Sequence, residues 1–179
     1  MSEIVSNNIQ FSPEALALVT KYIAKFPEGK QKSALIACLH LAQAEFGWLK
    51  PEVMDYIASL LNIKPIEVYE VATFYSQYYT KEVGKYVIEV CHTGPCWLRG
   101  ADELISYFEK KLGIKKGETT ADGMFTLKGV ECLAACGSAP MFQCGMNYYE
   151  NMDESKVDQF IDNCKAESKI SRPYPVMNK

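Results

Sequence analysis

The chain has 179 residues, 48% of them apolar, and a formal net charge of −3, enough for one ordinary domain or two small ones around a buried core. Its mildly acidic balance leaves no electrostatic footprint for nucleic acid and no basic run for a phospholipid surface. The polar stretch 1–10 lacks the features of a signal or transit peptide. The longest apolar-looking stretch, 33–46, contains His40, Gln43 and Glu45 and is too short to insert in a bilayer, so the sequence predicts a soluble chain that stays in the compartment where it is made.

In chain order, 1–11 reads as a loose tail and 12–80 as a small all-α helical bundle. Ser12-Pro13-Glu14 is a helix start: a capping hydroxyl, a proline suited to the first helical position and a carboxylate at the positive end. Leu16, Val19, Ile23 and Phe26 follow at helical spacing as an inward stripe. Pro27-Glu28-Gly29 breaks this helix. A second is predicted over 31–46, with Leu35, Cys38, Leu39, Ala42 and Phe46 on one face, and Gly47 ends it. Pro51 opens a third, with Met54, Ile57 and Leu61 inward, and Pro65 a fourth, through Val68, Val71, Ala72 and Tyr75. The short connections predict neighbours packed side by side. Tyr69, Tyr75, Tyr78 and Tyr79 suit either a core or a contact surface.

The charged hinge 81–85 precedes a change of pattern, and 81–166 reads as an α/β domain. Tyr86–Val90 is a strand, and 97–112 a single helix with Leu98, Leu104, Ile105, Phe108 and Leu112 as its stripe. A polar loop carries the Asp122-Gly123 turn signal. A second strand runs over 125–130. A hairpin around Gly145 joins 140–143 to 147–150, and a last helix over 153–164 turns Val157, Phe160 and Ile161 inward. The order β-α-β-β-α resembles a thioredoxin-type half-sandwich. Residues 167–179 read as a polar tail.

Four of the seven cysteines stand in two tight pairs, each following a β-rich run: Cys91 and Cys96 as C-x4-C, then, after thirty-five residues, Cys132 and Cys136 as C-x3-C. Two loops at the ends of two strands would present four sulfurs to one point. Soft thiolates select zinc or an iron–sulfur cluster. Structural zinc sites mostly use shorter C-x2-C loops, whereas a two-iron cluster is wider and gives each iron its own pair. A thioredoxin-type C-x-x-C is absent, which weakens a dithiol catalyst, and disulfides are poorly suited to a reducing compartment. Cluster and zinc both stay open on spacing alone. A cluster's negative charge needs donors: Gly94, Gly100 and Gly137 mark close turns, and a helix beginning after Cys96 would aim its positive end at the site. Cys38 and Cys164 read as buried helix residues, Cys144 as a small core residue on the hairpin, and Met141 and Met146 as packing residues. His92 reads as solvated and tuning rather than ligating. A Rieske-type ligation needs two histidines near one iron, and His40 is distant in sequence. No dinucleotide or nucleoside-triphosphate motif is present, and no Ser/His/Asp set can be assembled. A lone two-iron cluster carries one electron at a time, so oxidising a hydride donor needs a flavin on a partner.

Several stretches, in this order, resemble one family: Val-Tyr-Glu-Val-Ala-Thr-Phe-Tyr at 68–75, the loop 91–96, Lys-Lys-Leu-Gly-Ile-Lys-Lys-Gly-Glu-Thr-Thr at 110–120, Val-Glu-Cys-Leu-Ala-Ala-Cys at 130–136, Ala-Pro-Met at 139–141 and Asn-Tyr-Tyr-Glu at 147–150. This set is similar to the E subunits of NADH–quinone oxidoreductase, the thioredoxin-like 2Fe–2S ferredoxins of respiratory complex I. The resemblance covers about 12–165. It implies a helical bundle followed by a thioredoxin-like 2Fe–2S ferredoxin domain, with Cys91, Cys96, Cys132 and Cys136 as ligands of one 2Fe–2S cluster. It implies a partner, the F-type flavoprotein that binds NADH and carries FMN and a 4Fe–4S cluster, beside other peripheral-arm subunits. It also implies a place in the bacterial cytoplasm, at the cytoplasmic face of the inner membrane through the complex. The same ferredoxin type serves NAD-linked hydrogenases and formate dehydrogenases, which is the rival function.

Overall fold

The computed structural model describes residues 9–166; residues 1–8 of the expected N-terminal tail and the whole expected tail 167–179 lie outside the described residues. The chain divides after Glu82 into two compact units.

The first unit contains four α-helices: α1 (Pro13–Ile23), α2 (Leu35–Phe46), α3 (Pro51–Leu61) and α4 (Pro65–Phe74). Three of them begin with proline, whose fixed φ and missing N–H cost nothing at a helix start. Ser12 caps α1 by accepting from the Ala15 N–H. The predicted 31–46 helix opens as a 3-10 turn, Gln31–Ala34, before α2 proper. The core gathers Val19, Leu35, Cys38, Leu39, Met54, Ile57, Leu61, Val68 and Ala72.

Two inward assignments, Leu16 and Phe26, and the reading of Phe11 as tail are corrected, and the open choice at the tyrosines is resolved. The buried face of α1 is Ala15, Val19 and Tyr22, so Leu16 and Phe26 are exposed; small Ala15 lets the helix sit close, and the stripe rotates by about one residue. Tyr75 is exposed while Tyr78 is buried, its hydroxyl donating to the Ile36 carbonyl at 3.2 Å. Phe11, expected in the loose tail, is buried against Phe46 and Tyr56.

The second unit is a four-stranded mixed sheet in the order β2-β1-β3-β4: β1 (Tyr86–Cys91), β2 (Phe125–Val130), β3 (Phe142–Cys144) and β4 (Asn147–Tyr149). β1 is central and buried along its whole length, as expected for a strand flanked on both sides. It pairs parallel with β2 and antiparallel with β3, and β3 and β4 form the hairpin. The β1–β2 crossover carries α5 (Pro95–Leu98) and α6 (Ala101–Leu112); α7 (Glu154–Ala166) follows the hairpin. Leu104, Ile105 and Phe108 of α6 and Val157, Phe160 and Ile161 of α7 pack with Tyr86, Ile88, Val90, Phe125, Leu127 and Phe142 in one core. This helical and sheet arrangement is the thioredoxin-like α/β architecture.

The single helix expected over 97–112 is interrupted. Gly100, at φ +94°, separates α5 from α6, a conformation that costs a residue with a Cβ about 1–2 kcal/mol. The break turns Leu98 out of the stripe to 76% exposure. Met146 is likewise exposed rather than packed, whereas Met141 is fully buried.

Leu39 is fully buried, so Leu39→Ala should cost about 2–5 kcal/mol in chemical denaturation. Leu16→Ala, on the exposed face of α1, should change stability by less than about 0.5 kcal/mol. Equal costs for the two would contradict this orientation of the helices.

Candidate metal centre

Because β1 and β2 are parallel and in register, Cys91, the last residue of β1, stands opposite Val130, the last of β2. Both strands therefore deliver the chain to the same end of the sheet, where 91–96 and 132–136 form neighbouring loops. The ladder closes with the His92 N–H donating to the Val130 carbonyl at 3.2 Å, and the Cys91 N–H donates to the Met141 carbonyl of the flanking segment, also at 3.2 Å.

In the first loop the Cys96 N–H donates to the Thr93 carbonyl at 3.1 Å. That turn sets Cys96 in one buried cluster with Cys91. In the second, the Ala134 N–H donates to Cys132 Sγ at 3.4 Å, and the Sγ atoms of Cys132 and Cys136 lie 3.8 Å apart. All four cysteines are free thiols. The loops also meet: Leu133 and Ala135 of the second pack on Cys91, Cys96, Ala101, Ala139 and Met141.

The structure thus brings together all four expected residues, as two pairs of unlike exposure. Cys91 and Cys96 are 2% and 1% exposed, while Cys132 and Cys136 lie at the surface. Among the described residues no three metal-ligating side chains converge on one ion position.

The electrostatics follow from this crowding. Burial pushes the Cys91 thiol up, but the Thr93 and Leu133 N–H groups, the Cys96 thiol and the Thr93 hydroxyl act together against it, and the group sits below its usual value. Cys96 is pushed up to about 11 by burial, then by its hydrogen bond to Cys91 and the Cys91 charge, with the Met141 N–H opposing. Cys136 is raised by the hydrogen bond and charge of Cys132 and, more weakly, by Cys91. Four thiolates this close repel one another unless cations lie among them, which is what a soft-metal group supplies. The donor set and the N–H groups aimed at sulfur fit an iron–sulfur group.

Other expectations resolve individually. Gly94 and Gly100 have positive φ, but the third such turn falls on Ala134, at φ +61°, not on Gly137. Cys96 lies inside the four-residue α5 rather than before a long helix, so backbone donors from turns replace the expected helix end. His92 is half-buried, its ring close above Gly129. Cys38 and Cys164 are buried, and Cys144 packs partly into the sheet core. Ala134 as a donor to sulfur was not read from the sequence; backbone donors carry no residue-type signal.

A profile of the thioredoxin-like [2Fe-2S] ferredoxin family matches residues 19–165. The chain belongs to that family. It is 45% identical over 159 residues to the E subunit of the NADH-quinone oxidoreductase of Rickettsia felis (strain ATCC VR-1525 / URRWXCal2), spanning 88% of this chain and 95% of that one. It is 38% identical over 148 residues to the second E subunit of the NADH-quinone oxidoreductase of Rhizobium meliloti (strain 1021), spanning 83% and 87%. Among solved structures it is similar to the air-oxidized NAD+-reducing [NiFe]-hydrogenase, with a TM-score of 0.67 at 20% identity over 82% of this chain and 26% of that longer chain. The last likeness is one of fold. The family is an iron–sulfur one, so the ferredoxin identity favours iron over zinc at this centre.

A Cβ on Gly129 would lie 2.8 Å from Lys116 Cδ and 2.9 Å from His92 Cδ2. The lysine can move aside; the His92 ring, next to Cys91, has less room. Gly129→Ala should therefore destabilise the protein by about 1–3 kcal/mol in urea titration. An unchanged midpoint would contradict the close approach.

Proposed function

We propose that this chain is the electron-transfer E subunit of an NADH:quinone oxidoreductase, holding one 2Fe–2S cluster through Cys91, Cys96, Cys132 and Cys136. The observation that carries the reading is the arrangement of the sulfurs as two pairs, one on each of two loops that meet at one end of the sheet. A tetrahedral zinc site draws four ligands to one point; two pairs suit two irons. When bound, the group supplies one-electron exchange.

The chain's own residues do the rest. The Ala134 N–H donates to Cys132 Sγ and compensates negative charge there. Ala101, Ala139 and Met141 shield the buried pair from water. The exposed pair leaves an edge that a redox partner can approach. A centre that passes single electrons needs such a partner to oxidise a hydride donor. In this reading it is the F-type flavoprotein, with NADH and FMN on that chain and none on this one. The helical unit of 12–80 and the ferredoxin unit of 81–166 then sit among the peripheral-arm subunits. No helix among the described residues is long and apolar enough to cross a membrane, and in this reading the chain reaches the cytoplasmic face of the bacterial inner membrane only through the complex. The names of relatives at 38–45% identity over most of the chain favour the quinone complex over a hydrogenase or formate dehydrogenase.

The anaerobically purified chain should be coloured, contain iron and acid-labile sulfide in equal amounts, bleach with one electron per chain and co-purify from its source with a flavin-bearing chain. Colourless protein with a single zinc would contradict this. Serine at 91, 96, 132 or 136 should damage the cluster, while Cys38→Ser, Cys144→Ser and Cys164→Ser should retain it. Full iron content after Cys136→Ser would remove that residue from the ligand set.

A further inference from the structure

The second cysteine loop is tied down by groups outside the cysteine motif. Tyr148, on β4, donates its hydroxyl to the Leu133 carbonyl at 2.8 Å, across fifteen residues of sequence. Beside it the Ser138 hydroxyl donates to the Glu150 carboxylate. The Asn151 N–H donates to the Ser138 carbonyl at 2.7 Å, and the Met152 N–H to the Pro140 carbonyl at 2.9 Å. The segment 148–152 thus runs as a clamp along 133–140. Tyr148 is 49% exposed, so burial of its ring contributes little and its hydroxyl is the distinctive contact.

Leu133 is where this clamp meets the metal centre. Its carbonyl is held by Tyr148 at 2.8 Å, the N–H of that same peptide unit, on Ala134, donates to Cys132 Sγ at 3.4 Å, and its side chain packs on the buried pair. The next residue, Ala134, holds an unfavourable positive φ, a conformation that persists only where surrounding bonds impose it. Anchoring the Leu133 carbonyl restricts the planar peptide unit that joins Leu133 to Ala134, and so the direction of the Ala134 N–H.

We infer that Tyr148 is a positioning residue of the metal centre: its hydroxyl fixes the peptide unit between Leu133 and Ala134, and with it the N–H donor at Cys132 and the registry of the exposed cysteine pair with the buried one. The inference rests on the ligand assignment proposed above. An N–H bond to sulfur strengthens as negative charge on the sulfur grows, so a well-aimed Ala134 N–H favours the reduced state. Outer partners of this kind commonly change metal affinity about ten-fold or more.

The test is Tyr148→Phe in the full-length, cluster-loaded chain, which removes one hydroxyl and keeps the ring. The variant should fold with an unchanged melting temperature and wild-type iron and sulfide. Its reduction potential should move to more negative values, and it should lose iron to a chelator about ten-fold faster. A purely structural role would lower the melting temperature without moving the potential. Incorporating 4-aminophenylalanine at position 148, which keeps a donor at the ring's far end, should restore both properties, including where the Tyr148→Phe chain fails to hold a cluster. Unchanged potential and release in Tyr148→Phe, or no restoration by the amino analogue, would overturn the positioning role. A wild-type chain that binds no iron–sulfur group would instead overturn the ligand assignment.

Discussion

Parallel, in-register pairing of β1 with β2 is the constraint on which the metal centre depends. Antiparallel strands joined by a tight turn would place Cys91 and Val130 at opposite ends. Parallel strands need a crossover, and α5 and α6 provide it, packing Leu104, Ile105 and Phe108 onto one face of the sheet. Both strands then end together, and the loops that follow carry the two cysteine pairs. Local turns bring each pair together, while the sheet sets the relation between the pairs. Damage to the strand pairing should therefore harm the centre even where every cysteine is intact.

The hairpin has a second role beyond completing the sheet. Phe142 on β3 stacks on Tyr149 of β4 with ring centroids 4.7 Å apart and meets Phe108 and Phe160 edge-on. That aromatic group anchors the hairpin in the core. Anchored there, 148–152 can hold the exposed loop 133–140, whose own burial is slight. Order thus passes from a buried aromatic cluster, through a short two-stranded ribbon, to an exposed loop. The buried pair needs no such support, since Ala101, Ala139 and Met141 enclose it.

Much of the fold was legible in the sequence because its signals are local. Pro13, Pro51 and Pro65 mark helix starts, the alternation at Phe125-Thr126-Leu127-Lys128 marks a strand, and the cysteine spacing marks two loops that each carry a pair of thiols. What was misread depends on tertiary geometry. The stripe Leu16, Val19, Ile23 and Phe26 has acceptable helical spacing, but the bundle presses Ala15, Val19 and Tyr22 inward instead, and a small alanine sends no hydrophobic signal. The periodicity of 97–112 ran unbroken through Gly100, a residue tolerated in a helix but here used at positive φ. Ala134 carries a left-handed turn that residue type would assign to glycine. The Ala134 N–H that donates to Cys132 Sγ is backbone, so no side-chain pattern could announce it.

The central claim, that two pairs of thiolates on two loops hold a two-iron centre, is tested most directly by X-ray absorption at the iron edge of the full-length chain. The account predicts iron in an all-sulfur shell of four, with one further iron as a near neighbour. Nitrogen or oxygen scatterers in that shell, or iron without an iron neighbour, would contradict it.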